Sequence, residues 1–213
     1  MIILTWVLVA VGGYLLGSIP FGLVLTRLAG YGDIRKIGSG NIGATNVLRT
    51  GNKPLALLVL ILDAGKGAIA AAVAWMLVGW EFGVAAGVAA FLGHLYPIWL
   101  GFKGGKGVAT GLGTFLAISW PIFIGMALAW LVGALLFRRS SMGALVAFGV
   151  LPLLTGVFNG RADASSVPIP YWFIILGFAL AAIVYYKHRA NIARIIDGTE
   201  PKISFGGGGK KDD

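Results

Sequence analysis

The chain has 213 residues, of which 58% are hydrophobic and 12% are charged, and its mean hydropathy is +0.88. Apolar runs near the roughly 20 residues that a helix needs to cross a bilayer exclude a soluble globular protein. They predict a single all-α membrane domain over residues 1–205. The net charge of +9 comes from short loops beside apolar runs, which favours anionic membrane lipid over nucleic acid as partner. The absence of cysteine excludes disulfides and thiolate nucleophiles.

The apolar runs predict seven transmembrane helices, at residues 3–26, 54–79, 82–101, 107–119, 121–137, 141–158 and 169–187. The region 107–137 is divided because one helix of that length would extend about 46 Å, beyond roughly 30 Å of hydrocarbon. Ser119-Trp120-Pro121 supplies the break, since proline removes a helical hydrogen bond. The first of the two pieces is too short to cross the bilayer unaided.

The basic residues predict the orientation of the chain. With seven crossings, all of them except Lys66 and Arg161 fall on one side of the membrane. The positive-inside rule then places the N-terminus outside and the C-terminus in the cytoplasm. Residues 206–213 (GGGGKKDD) are low in complexity and predict a flexible tail.

The first polar segment is GSGNIGATNVLR at residues 38–49. Gly38, Gly40 and Gly43 formally match a dinucleotide-binding pattern, but no strand precedes them, so that interpretation fails on context. The segment instead combines the cation of Arg49 with neutral hydrogen-bonding side chains. That set suits a polyol phosphate, and the alternative is a solvated turn with an incidental arginine. The neutral side chains are Ser39, Asn41, Thr45 and Asn46.

The second and third predicted spans carry polar residues at membrane depth. Asp63 and Lys66 lie one helical turn apart and predict an intramembrane ion pair. Such a pair is either functional or a structural polar clamp, and the sequence does not decide between them. His94, on the apolar run before the next loop, is predicted to be packed and hydrogen-bonded.

The loop GFKGGKGVAT at residues 101–110 predicts an anion site. Glycine lets the backbone approach a ligand closely, and an ammonium beside such a nest suits a phosphate. Lys106, which has glycines on both sides, is the expected ligand together with Gly104, Gly105 and Gly107. Lys103 is expected to anchor the helix end. The loop is not a P-loop, because Leu100 occupies the position where that pattern needs its first glycine.

The last polar segment, HRANIAR, begins at His188. If it is helical, His188 and Asn191 share a face and can orient a hydroxyl or a carbonyl, with Arg194 continuing that face. The alternative is a basic helix end that complements the helix dipole. No HExxH metal motif and no His-x₄-Asp pair is present in the sequence. We therefore expect no metal and no cofactor, and a substrate that is already activated.

At these residues the chain resembles the bacterial acyl-phosphate:glycerol-3-phosphate acyltransferases, which are integral membrane enzymes. The resemblance rests on GSGNIGATNVLRT at 38–50, GHLYP with FKGGKGVAT at 93–110, and HRANIARI at 188–195. It implies a seven-helix bundle in the bacterial inner membrane with a cytoplasmic active site. The implied substrates are acyl phosphate and glycerol 3-phosphate, and the implied products are lysophosphatidic acid and phosphate. The family also carries a serine before the sixth helix, for which Ser141 is preferred over Ser140.

These expectations give a mechanism of direct transfer. Lys106 binds a phosphate or the developing oxyanion, Arg49 and its neighbours hold glycerol phosphate, and His188 with Asn191 orients the hydroxyl. Ser39 hydrogen-bonds a substrate. The rival hypothesis is a small transporter or channel for phosphorylated anions, which the scarcity of cations on the outer face disfavours.

Overall fold

A computed structural model describes residues 1–158 and 170–203 of the chain, and these residues form a bundle of α-helices without a β-strand. The predicted tail at 206–213 and Arg161 lie outside the described residues. The helices are α1 (Ile2–Gly17), α2 (Phe21–Leu28), α3 (Ala44–Val47), α4 (Lys53–Val78), α5 (Trp80–Leu95), α6 (Val108–Ile118), α7 (Trp120–Phe137), α8 (Ser140–Gly149), α9 (Leu151–Val157), α10 (Trp172–Lys187) and α11 (Arg189–Ile196).

The all-helical membrane architecture is confirmed, whereas the count of seven crossings is not. Within the described ranges, five helical stretches are long and apolar enough to cross a membrane. A sixth results if α10 and α11, which are bent by 62°, are counted as one span. α6 has 11 residues and therefore extends only about 16 Å, which is too short to cross the bilayer, as the sequence predicts for this piece.

Two predicted spans are interrupted. The stretch predicted at 3–26 breaks between α1 and α2, because Pro20 cannot donate a helical hydrogen bond. The stretch predicted at 141–158 divides at Val150 into α8 and α9, with a proline again at the start of the second helix. The break predicted at 119–121 is present, since α6 ends at Ile118 and Ser119 is extended with ψ 94°.

Small residues let the central helices approach closely. α1 packs on α5, and α4 packs on both α5 and α6. A Cβ at Gly17 would lie 2.0 Å from the carbonyl oxygen of Ala90, and one at Gly113 would lie 1.9 Å from that of Ala64. Backbone contact of this kind drives helix association in lipid, where apolar side chains gain little from leaving the solvent. The close packing brings the polar segments at 38–50, 101–107 and 188–203 to one end of the bundle.

Candidate active site

A cavity of about 590 Å³ joins the polar segments that the sequence singles out. Its wall contains most of the predicted site residues and, beyond them, Glu200 and Lys202. The predicted residues on it are Ser39, Asn41, Thr45, Asn46, Arg49, Asp63, Lys106, Gly107, Ser141, His188 and Asn191. His94, which was predicted only to be packed, also lines it. Residues more than 100 positions apart in the chain therefore meet around one space.

The side chain of Asn46 holds the first polar segment, residues 38–49, in place through hydrogen bonds. Its Oδ1 accepts hydrogen bonds from the backbone N–H of Ser39 at 2.9 Å and from the Ser39 hydroxyl at 3.2 Å. Its Nδ2 donates to three backbone carbonyl oxygens at 2.8–3.0 Å. The predicted substrate contact of Asn46 therefore does not fit, because its buried amide is fully used in holding the loop.

Gly38 makes room for Arg49. Gly38 has φ +56°, and a Cβ there would lie 2.6 Å from Cδ of Arg49. Arg49 is exposed and, across the described part of the chain, its guanidinium forms no salt bridge. The segment thus presents an unpaired fork-shaped cation at the cavity wall, the arrangement that suits a phosphate.

The loop at residues 101–107, called the glycine–lysine loop, folds back on the end of α5. The N–H groups of Gly104 and Gly105 donate to the carbonyl oxygens of Leu95 and His94 at 3.2 and 3.0 Å. The predicted phosphate contacts of Gly104 and Gly105 therefore do not fit, because their donors are already used. Among the described residues, the N–H groups of Lys106 and Gly107 meet no hydrogen-bond acceptor. Gly107 caps α6, so the available donors lie at a helix N-terminus, where an anion is stabilised.

Lys106 reaches across the cavity from this loop. Its ammonium donates to Oδ1 of Asn191 on α11. Burial lowers the pKa of Lys106 to about 8, although the carboxylate of Glu200 acts in the opposite direction. Neighbouring cations, Arg194 and Arg49 among them, add to the lowering. The ammonium of Lys106 is buried and has no full counterion, so we expect it to attract an incoming anion strongly.

Glu200 is the carboxylate that the sequence analysis missed. Oε1 accepts from Ser141 at 2.7 Å and from Asn191 at 2.6 Å, and Oε2 accepts from Arg194 at 2.7 Å. Burial alone would raise the pKa of Glu200, but these hydrogen bonds outweigh it and hold the pKa below its ordinary value. The only indication in the sequence is a lone glutamate six positions after Arg194 in a basic stretch.

His188 lies at the bend between α10 and α11. Its Nδ1 is 2.8 Å from the carbonyl oxygen of Val184, so Nδ1 carries the proton and Nε2 is left as an acceptor. Burial, together with the charge of Lys106, lowers the pKa of His188 to about 4. The ring is therefore neutral at physiological pH.

Behind the cavity lies the predicted ion pair of Asp63 and Lys66. Nζ of Lys66 is 2.9 Å from Oδ1 of Asp63, and both side chains are buried. The same ammonium is 2.7 Å from Nδ1 of His94 and 3.0 Å from the carbonyl oxygen of Ile19. His94 is thus packed and hydrogen-bonded, as predicted.

The lining of the cavity combines cations with a large apolar surface. Both carboxylates of the lining are paired, Asp63 with Lys66 and Glu200 with Arg194. Arg49 and Lys106 then leave a positive excess. The apolar lining includes Leu131 and Leu135 of α7, which are about half exposed. Its other apolar residues are Leu60, Val108, Ala109, Leu112, Trp130, Ala134 and Ala144.

Comparison with known proteins shows which family this chain resembles. The family model for glycerol-3-phosphate acyltransferase matches residues 7–198. The glycerol-3-phosphate acyltransferase of Paramagnetospirillum magneticum is 54% identical over 94% of this chain and 92% of its own length. That of Maricaulis maris is 53% identical over 95% of this chain and 87% of its own length.

Two crystal structures of the integral membrane glycerol 3-phosphate acyltransferase PlsY (YgiH) share the fold. The glycerol 3-phosphate form matches with a TM-score of 0.83 at 37% identity, over 93% of this chain and 96% of that one. The lysophosphatidic acid form matches with a TM-score of 0.81 at 36% identity, over 93% of this chain and 95% of that one.

Proposed function

The chain belongs to the glycerol-3-phosphate acyltransferase family, and from this premise we propose that it transfers a fatty acyl group from acyl phosphate to the 1-hydroxyl of glycerol 3-phosphate. The products are lysophosphatidic acid and inorganic phosphate. The observation that carries the proposal is one cavity whose lining is both cationic and apolar. Its cations suit two phosphates, and its apolar residues, among them the half-exposed Leu131 and Leu135, suit an acyl chain.

We propose direct transfer between the two bound substrates. The glycerol hydroxyl attacks the acyl carbonyl, the bond from that carbon to the phosphate oxygen breaks, and the hydroxyl proton passes to the departing phosphate. Acyl phosphate is a mixed anhydride with a good leaving group, so the protein has to position the reactants and stabilise negative charge. Lys106 and the N-terminus of α6 supply that stabilisation, and Arg49 holds glycerol phosphate.

The geometry supports the substrate phosphate as proton acceptor. Glu200 is already hydrogen-bonded through both oxygens, and its lowered pKa makes it a weak base. His188, with a pKa of about 4, is also a weak base. His188 and Asn191 are therefore assigned to orienting the hydroxyl and Lys106. Ser141 braces Glu200.

Ser39 is assigned to substrate binding, since its hydroxyl meets the amide oxygen of Asn46 and, within the described chain, no base. We expect sequential kinetics and no acyl-enzyme. Wild-type protein given acyl phosphate alone should show an unchanged intact mass. A mass increase of one acyl group that disappears on adding glycerol 3-phosphate, and that is lost in Ser39→Ala, would make Ser39 a nucleophile instead.

The proposal includes the bacterial cytoplasmic membrane as location, with seven crossings and the site on the cytoplasmic face. The decisive assay measures phosphate released from acyl phosphate by protein in detergent, with and without glycerol 3-phosphate. Release that depends on glycerol 3-phosphate and matches lysophosphatidic acid formed is expected. If no acyl transfer occurs, but liposomes containing the protein take up glycerol 3-phosphate, the chain is a transporter.

A further inference from the structure

Lys66 fixes the protonation of the His94 ring. An ammonium has three N–H donors, and Lys66 meets three acceptors, on Asp63 at 2.9 Å, His94 at 2.7 Å and Ile19 at 3.0 Å. The carbonyl of Ile19 is available because the helix breaks at Pro20. With all three donors directed outward, Nδ1 of His94 accepts. The proton of the neutral ring must then be on Nε2.

That Nε2–H group points at the anion-binding loop. A Cβ at Gly105 would lie 2.1 Å from Nε2 of His94, so the ring edge lies directly beneath this residue. His94 is 4% exposed and lines the cavity. In the described ranges, Nε2 has no hydrogen-bond partner, yet it is not among the fully enclosed unsatisfied atoms. A donor on an almost buried ring at the cavity wall, without a partner in the described ranges, is available for a contact with the substrate.

We propose that His94 is a further substrate-binding residue, donating from Nε2–H to a phosphate oxygen held at the loop of Gly105 and Lys106, and that Asp63 and Lys66 are positioning residues that keep the proton there. The proposal rests on the function proposed above. The intramembrane ion pair is then functional and not only a structural polar clamp, because it acts on the substrate through the tautomer of His94. Without Lys66, Nδ1 would donate to Asp63, whose Oδ1 is 3.5 Å away, and Nε2 would face the phosphate with a lone pair.

The tautomer can be observed directly. The chain has two histidines, so ¹⁵N-labelled histidine gives two ring spin systems, which a His188→Phe variant assigns. The structure requires opposite tautomers, with the proton on Nε2 in His94 and on Nδ1 in His188. In Lys66→Met the His94 proton should move to Nδ1. If both wild-type histidines are protonated on Nδ1, the proposal is overturned even if every variant fails to fold.

Ligand titrations identify whose phosphate His94 contacts. Glycerol 3-phosphate and a non-hydrolysable acyl phosphonate are added separately to wild-type protein, and the Nε2–H resonance of His94 is followed. A shift with the first assigns the contact to the acceptor phosphate, and a shift with the second assigns it to the donor phosphate. No shift with either overturns the contact.

The kinetics of two matched variants of His94 test the contact. His94→Gln keeps an N–H donor near the position of Nε2, whereas His94→Leu removes it. The leucine variant should lose at least about tenfold in kcat/KM for the substrate that shifts the resonance, and the glutamine variant should retain most of it. Equal losses in both variants contradict the proposal. If wild-type protein transfers no acyl group at all, the proposed function fails; if it does and His94→Leu is unaffected, only this inference fails.

Discussion

The residues around Lys106 determine the orientation and the charge of its ammonium group. Lys106 reaches Asn191 from a loop 85 positions earlier in the chain, while the nearby carboxylate of Glu200 is bonded to Arg194 instead. The ammonium is therefore oriented without being neutralised. A preorganised donor of this kind stabilises charge that appears during reaction without first having to reorganise.

Replacing Lys106 with Met should lower kcat/KM at least a hundredfold. Methionine keeps an apolar stem but removes the charge, and the loss of one preorganised donor to a developing anion costs about 2.7–4 kcal/mol. Lys103→Met is the matched control, because Lys103 is exposed in the same loop and lies off the cavity wall. Phosphate release assays on both variants make the comparison, and equal losses would show that the charge of the loop as a whole matters.

The pH profile should report Lys106. With a pKa of about 8, the side chain is charged below that pH and loses its proton above it, so kcat/KM should fall as pH rises through about 8. His188 should add no step near neutral pH, because with a pKa of about 4 it stays neutral there. Lys106→Arg keeps its charge and should move the alkaline decline upward. A decline unchanged in that variant would assign it to another group.

At the scale of elements, the glycine–lysine loop at residues 101–107 rests on the end of α5. The last carbonyl oxygens of this helix have no N–H donor within the helix, so those of Leu95 and His94 accept from the N–H groups of Gly104 and Gly105. The ring of His94 fills the space beneath Gly105. The loop is consequently a rigid extension of a buried helix. A hydrogen-bonded loop of this kind holds a ligand without an entropic cost for ordering it.

Gly105→Ala should raise KM or abolish activity, because the added methyl would lie 2.1 Å from Nε2 of His94 and displace either the ring or the loop. Gly65→Ala is the control: Gly65 is in α4, and a Cβ there meets no atom within 4 Å. The control should be fully active and slightly more stable, since alanine favours a helix by about 1 kcal/mol. Parallel kinetics and thermal unfolding of both variants test this, and an active Gly105→Ala enzyme would show that the loop is pliable.

Sequence reasoning predicted elements better than contacts. Pro121 marked the break before α7 because proline has a fixed local effect, and Lys106 was identified because flanking glycines are a local pattern. Pro20 has the same local effect, but the continuous hydropathy around it hid the break between α1 and α2. Glu200 and the contact of Lys66 with His94 were missed, because each depends on which segments meet in space.

At the scale of the molecule, the candidate site lies at one end of the bundle, which should face the cytoplasm. The chain has no cysteine, so single cysteines can be labelled without background. Cysteines replacing Lys103 and Asp197 should react with an impermeant thiol reagent only from the cytoplasmic side, and one replacing Glu81 only from outside. All three side chains are exposed. Labelling of Lys103→Cys and Glu81→Cys from the same side would contradict the crossing between them, and labelling of Lys103→Cys from outside would contradict the orientation.

The segment around Glu200 also has a consequence for biogenesis. Glu200 accepts hydrogen bonds from Ser141, Asn191 and Arg194. The backbone N–H of Ile203 donates to the carbonyl oxygen of Arg138 at the junction of α7 and α8. During synthesis, every helix of the bundle leaves the ribosome before this glutamate does. A nascent chain inserted into the membrane therefore carries Arg49 and Lys106 without a finished site around them until residue 200 has been added. We therefore expect acyl transfer only after Glu200 has docked, so a polypeptide stalled before residue 200 should be inserted in the membrane but inactive.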